Sequence, residues 1–520
     1  MDEQHQIDNT LGLSRLLSGS AIVMLGLFAM VVSEFLFLLA ISHYLGGVGV
    51  GLVSYSTRIV SIVSMIVTLG IPSIVTTMQS SDGSENRRPL LAAALLCSLP
   101  LALVSATILF FTAPIIGSQT GASELSLLIS FQCIVLPVSA IGVMAAGIVR
   151  GRLQFGRYAV SMALGPLMTL VIVIVCSGIL TPLLAIQAVV ISTVASSLIV
   201  LLLARPLVTG KVELRLVREL MVKGVPLMIV GFSGLLIDSA GVLILGLLSY
   251  DMALVGSFSN AFSISSYLRY AVEPISLALL PLVAREMAQC GTAKADSVLA
   301  ASVRTIDVFF IPLAALVGIT STEVMLVLFP PEFAVAAPAL SILALASPGV
   351  ALYYVYSRVL IAQGRTMVLG ALTALAAVVS VTTTSILSIP LGIMGAGIAS
   401  AITFVIMGAA SMVLTTRGCN RSTRFTLRDS AYYAVLLVCC FLSRYIVATW
   451  FPYVGNVGII IVAFLVLLCT MALVKPLSGD ELELLDGVLR TTLPARVVEP
   501  TRMILRRFGR KKANLSADAK

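Results

Sequence analysis

Fourteen stretches of about twenty or more residues run almost without charge through this 520-residue chain. They lie near 17–41, 48–79, 90–112, 125–149, 158–178, 182–204, 224–248, 253–284, 301–321, 334–363, 367–387, 391–416, 430–449 and 455–474. About 20 apolar residues in a helix cross the roughly 30 Å core of a bilayer. Lipid offers no hydrogen-bond partners, so a spanning backbone must satisfy its own, and for runs of this length the helix does that. The expected fold is an all-α polytopic membrane protein. Only 11% of the residues are charged, against about 25% in soluble domains.

The connections between these runs alternate in character. The segments near 42–47, 113–124, 179–181, 249–252, 322–333, 388–390 and 450–454 hold neither lysine nor arginine. The other connections carry Arg87, Arg88, Arg150, Arg152, Arg157, Lys211, Arg215, Arg218, Lys223, Arg365, Arg417 and Arg421, and the tail is basic as well. Positive charge collects on the cytoplasmic side, so both termini are expected there, in the cell membrane. The first ten residues are acidic and polar and no A-x-A site ends the first run, so no cleaved signal peptide is expected. The expected organisation is a cytoplasmic N-terminus (1–16), an N-lobe of helices 1–6 (17–204), an amphipathic cytoplasmic linker (205–223), a C-lobe of helices 7–12 (224–416), helices 13–14 (417–474) and a basic cytoplasmic tail (475–520).

That placement accounts for the +9 net charge without nucleic acid, and the tail is expected to rest on anionic lipid. There is no G-x-x-x-x-G-K-[ST] for a nucleotide. His5 and His43 lie in separate flanks, and the close cysteine pair Cys439–Cys440 sits in an apolar run, so neither a metal site nor any other cofactor is expected.

Charges inside the runs are costly and mark function by default. The run GLVSYSTRIVSIVSMIVTLGIPSIVTTM (51–78) contains one charge, Arg58. At about 1.5 Å per residue it lies roughly 15 Å below the Lys/Arg-free face. It is either a guanidinium fork for phosphate or carboxylate oxygens or the partner of Glu34 on the preceding run. Arg269 and Glu273 stand at i,i+4 in span eight, where they can pair; alternatively Arg269 is a second cavity cation. Glu34 and Asp238 are possible charge partners or ion-coupling groups. Arg358 and Arg444, each about two turns from a membrane face, read as snorkelling residues. Asp307 reads as an N-terminal helix charge in span nine.

The two halves echo each other. Glu34 precedes Gly51 as Asp238 precedes Gly256, with separations matching within one residue. A glycine–arginine turn follows span four (GIVRGRLQFGRY) and span ten (RVLIAQGRTM). Such internal symmetry marks many transporters.

Four segments in order carry a family resemblance: AISHYLGGVGVGLVSY, LVRELMVKGVPLMIVGF followed by LVGSFSNAF, VMLVLFPPEFAVAAPALSILALA, and IPLGIMGAGIASAI. With fourteen spans they resemble the oligosaccharide flippase (polysaccharide transporter) branch of the multidrug/oligosaccharidyl-lipid/polysaccharide (MOP) exporter superfamily. The stretch into VKPLSGDELELLDG looks most like archaeal members. Family members often carry an arginine before the first L-G turn, where this chain has Ser42-His43-Tyr44.

The resemblance implies two six-helix lobes in a MATE-like fold plus two C-terminal helices. The implied activity is alternating-access movement of a polyprenyl-(di)phosphate-linked oligosaccharide from the cytoplasmic to the outer leaflet, beside other glycan-assembly proteins and with coupling to H+ or Na+ open. The alternative from the same superfamily is an ion-coupled multidrug exporter, which favours acids and aromatics over arginines. A membrane glycosyltransferase or ligase would need clustered Asp, Glu or His in a polar loop. The Lys/Arg-free connections carry only scattered acids such as Glu124, Glu323 and Glu332, so the chain is not expected to be an enzyme.

Overall fold

A computed structural model of the chain describes residues 2–81, 89–204, 214–248, 250–270, 292–416 and 455–474, Val272, and short stretches between 438 and 450. Among the described residues there are helices and turns and no strand. The helices are α1 (Asp2–Thr68), α2 (Ile71–Ser81), α3 (Leu90–Gln119), α4 (Ser123–Gln132), α5 (Val135–Gly151), α6 (Phe155–Val175) and α7 (Pro182–Ala204). They continue as α8 (Leu214–Leu247), α9 (Met252–Tyr270), α10 (Thr292–Ile319), α11 (Ser321–Leu328), α12 (Ala337–Ala362), α13 (Thr366–Thr416) and α14 (Gly455–Val474).

Two of these are too long to be single spans. Ile22–Thr68 has 47 residues and Thr366–Thr415 has 50, about 70–75 Å of helix, more than twice the hydrocarbon thickness. Each reverses on one glycine: Gly46 (φ 64°) and Gly392 (φ 57°) leave the helical region. Those φ values are nearly free for glycine and costly for residues with a Cβ. The reversals show in what meets across them. A Cβ on Gly395 would lie 2.0 Å from the Leu387 carbonyl oxygen, yet eight residues of unbroken helix would separate the two positions by about 12 Å. Likewise Ser42 and Gly51, on opposite sides of Gly46, touch Asn260 and Gly256, one turn apart on α9.

Eight described helices are long and apolar enough to cross a membrane, nine if Ile306–Ile319 and Ser321–Leu328, bent by 75°, form one span. With the two reversals, α9 and α14, and with span thirteen largely outside the described residues, the fourteen-span reading holds.

The chain forms two compact units, each discontinuous in sequence. The first comprises Met1–Ser263, Leu328–Ala339 and Gly370–Thr403; the second comprises Ile264–Val327, Leu340–Leu369 and Phe404–Lys520. In the first unit Ile71 and Val75 of α2, Leu90 and Ala94 of α3, Met144 and Ile148 of α5, and Leu216 and Leu220 of α8 make one buried cluster. Residues 214–223 thus continue straight into span seven, with two apolar side chains against protein. Residues 205–213 lie outside the described residues. In the second unit Val303, Ile306, Phe310 and Ala314 recur at helical spacing along α10 and pack on Ala351, Val355, Tyr356 and Val359 of α12.

The glycine–arginine turns do the same job in both halves. Arg152 donates to the carbonyl of Ala204 at the end of α7. Arg365 donates to the carbonyl of Leu414 near the end of α13, at 3.0 Å. Cations belong at helix C-termini, where the last carbonyls lack helical partners.

Candidate functional site

Glycine places the first candidate. A Cβ on Gly51 would lie 2.0 Å from the Met252 carbonyl oxygen, and one on Gly256 would lie 2.2 Å from the Gly47 carbonyl oxygen. Each glycine therefore meets the carbonyl four residues before its counterpart in the other half. Small residues allow this backbone-to-backbone crossing in membranes. Three polar contacts surround it. The amide of Gly47 donates to Glu332 Oε1 at 2.8 Å, capping the start of the returning leg of α1. Asn260 Nδ2 donates to Ser42 Oγ at 2.8 Å, in a fully buried contact. The Tyr250 hydroxyl donates to the Ser388 carbonyl at 2.8 Å. All of these residues lie in or near the Lys/Arg-free connections.

Just under two turns beyond Gly51, Arg58 is half-buried. Its Nη1 donates to the main-chain carbonyl of Asp238 at 2.6 Å, and its guanidinium lies 5.4 Å from the centre of the Phe262 ring. A guanidinium over an aromatic face gains about 0.5–2 kcal/mol, more as it loses water. Glu34 is half-buried and has no hydrogen-bond or ion-pair partner among the described residues. The described contacts of Arg58 thus run to α8 and α9, that is, to the other half of the repeat. Spacing along α1 could not reveal this, since Glu34 and Arg58 stand equally far from Gly46 in sequence.

In the second unit Arg269 is 7% exposed, lies 5.2 Å from the ring centre of buried Phe404, and donates to Ser266 Oγ. Its i,i+4 neighbour Glu273 lies outside the described residues. Arg358, read from the sequence as a snorkelling residue, is half-buried, and its Nε–H is buried without an acceptor among the described residues. A buried donor left without an acceptor costs free energy. The signal was its depth in an apolar run that includes three tyrosines.

Two readings change. Arg444 does not simply snorkel: its Nε pairs with Glu323 Oε1 at 2.9 Å, and the Glu323 side chain is only 7% exposed. Asp307 is no N-terminal helix charge: α10 begins at Thr292, fifteen residues earlier, and Asp307 is buried. Among the aromatics, Tyr55 and Tyr356 are fully buried core residues. Arg444 is one-third exposed, so its removal leaves only the buried Glu323 carboxylate without its partner, at a cost of about 1–3 kcal/mol. Arg444→Ala is therefore expected to lower stability by that amount, and Glu323→Gln with Arg444→Met to recover most of it. Thermal unfolding in detergent checks both, and an unchanged midpoint for Arg444→Ala would remove the pair from the stability account.

A multi-pass helical bundle with mid-span glycine reversals, a repeat-related glycine crossing and arginines at depth defines a membrane protein of the MOP exporter fold. Solved structures carry the same fold. The lipid II flippase MurJ in an inward closed conformation matches with a TM-score of 0.69 at 12% identity, over 87% of this chain and 98% of that one. An inward-facing MATE-family multidrug transporter of the MOP superfamily matches at 0.62 and 15% identity, over 79% and 98%. MATE in the straight conformation matches at 0.54 and 16% identity, over 81% and 96%. The family model described as polysaccharide biosynthesis protein matches residues 16–287, and the chain belongs to that family. No curated protein sequence matches it.

Proposed function

We propose that this protein is a flippase that carries a polyprenyl-(di)phosphate-linked oligosaccharide from the cytoplasmic to the outer leaflet by alternating access, for surface polysaccharide or glycoprotein assembly. The observation that carries this reading is Arg58, a guanidinium held mid-span by groups of the other repeat half. Family membership supports the glycan, and the cation supports the phosphate. Arg58 in the first unit, with Arg269 and Arg358 in the second, are the candidate cations. Both termini are placed in the cytoplasm, and the basic tail on anionic lipid. Depleting the protein should accumulate a lipid-linked glycan in the cytoplasmic leaflet. An unchanged leaflet distribution in depleted cells overturns the reading.

Glu34 supports an ion-coupled cycle, because a mid-span carboxylate without a basic partner among the described residues is suited to exchange H+ or Na+. Asp238 is the second candidate. The same coupling would serve a multidrug exporter, which the mid-span arginines disfavour.

A further inference from the structure

Between α11 and α12 the chain makes a detour. Leu328–Ala339 belongs to the first unit, whereas the chain before it, Ile264–Val327, and after it, Leu340–Leu369, belongs to the second. Pro330 and Pro331 stop α11 from running on, and a short 3-10 helix, Pro331–Ala336, follows. Phe329 and Phe333 anchor this strap: they are 2% and 0% exposed, with ring centres 5.8 Å apart. Between them in sequence, Glu332 is exposed. Its Oε1 accepts the Gly47 amide at 2.8 Å, and a Cβ on Gly46 would lie 3.1 Å from the same oxygen. The carboxylate therefore sits on the α1 reversal.

Gly47 faces two ways. Its N–H goes to Glu332, while its carbonyl oxygen is the one that a Cβ on Gly256 would approach to 2.2 Å. The two helix starts that meet at this crossing are capped differently. Asp251, at the start of α9, caps from within its own segment: its Oδ1 accepts the Ala253 amide at 3.0 Å. The returning leg of α1 has no such local cap, because Leu45 and Gly46 before it carry no acceptor side chain. The first N–H groups of a helix lack helical acceptors, and a carboxylate there also answers the helix dipole. The acceptor for this leg comes from Glu332, 285 positions away, so it is present only while the strap is seated.

We infer that Glu332 is a positioning residue for the Gly51–Gly256 crossing. While the strap is seated, its carboxylate fixes the Gly46 reversal and holds the crossing together. When the strap lifts, the returning leg loses its cap and the crossing is free to part. The strap joins α11 to α12, so a rearrangement of those helices reaches the α1 reversal through this carboxylate. This deepens the alternating-access reading and rests on it.

The test uses the full chain in nanodiscs, with its eight cysteines replaced by alanine and a single reporter thiol labelled by a membrane-impermeant maleimide. Ser42→Cys reports on the crossing, and Thr120→Cys is a control away from it; the two positions are 0% and 5% exposed. Glu332→Ala should speed labelling at the crossing roughly five-fold, the size of one lost helix cap, and leave the control within two-fold. Glu332→Gln keeps an oxygen that can accept the Gly47 amide, and should bring the crossing back to within two-fold of the parent. Thermal unfolding tracks the fold of every variant. An unchanged rate at the crossing in Glu332→Ala overturns the inference, as does equal acceleration at both reporters or a Glu332→Gln rate as fast as that of Glu332→Ala. Labelling needs no cargo, so a failure here leaves the leaflet test of the flippase reading untouched, and a failure of that test leaves the labelling result standing.

Discussion

If the protein carries a lipid-linked glycan as proposed, Arg58→Ala is expected to reduce its transport to below about one-tenth while folded protein remains in the membrane. Hydrogen bonds to a charged group contribute about 1.5–3 kcal/mol, which is roughly ten- to hundred-fold in affinity. The Asp238 carbonyl and the Phe262 face hold the guanidinium in one orientation, so on the proposed function a phosphate would meet a cation already placed. Arg58→Lys keeps the charge but loses the planar fork, and should fall between wild type and alanine. Leaflet distribution of the glycan in cells carrying each variant is the measurement. Transport at the wild-type level in Arg58→Ala would take Arg58 out of the substrate path.

The second large effect is at the glycine crossing. A single methyl on Gly256 would sit 2.2 Å from one main-chain oxygen and 2.7 Å from the Gly51 nitrogen, and backbone cannot swing aside as a side-chain tip can. Overpacking of this kind costs about 1–3 kcal/mol, comparable with the few kcal/mol that separate two states of a transporter. Gly256→Ala, and more strongly Gly256→Val, should therefore populate the conformation in which these helices part. With Ser42→Cys as reporter, labelling by a membrane-impermeant thiol reagent should speed up at least ten-fold, and transport should fall. Unchanged labelling in Gly256→Val would show that the crossing does not separate during the cycle.

Much of the fold was legible because lipid reduces the choices. A chain that cannot expose its backbone must make helices, so apolar run length carries nearly the whole architecture. The repeat was legible through glycine and arginine, whose roles are local. Gly51 and Gly256 are matched in the sequence and meet in the structure, and the turn arginines Arg152 and Arg365 end equivalent helices. Partnerships were less legible. Arg58 meets Asp238, 180 positions away, and Arg444 meets Glu323, 121 positions away. Periodicity gives the face of a helix and not which helix covers it. Near equals in depth, such as Glu34 and Arg58, can face different neighbours.

The single-residue reversals at Gly46 and Gly392 have a practical corollary for anyone who wants a handle on this protein. Such a turn has no slack to absorb an inserted epitope: the residue after Gly46 gives its amide to Glu332, and Gly392 lies against the Tyr250 ring. The turn at Gly121 is different, since a side chain there would meet nothing within 4 Å. A tag, a protease site or an antibody epitope belongs at Gly121, where it would report which side of the membrane that turn faces without disturbing the crossing that Gly46 brings together.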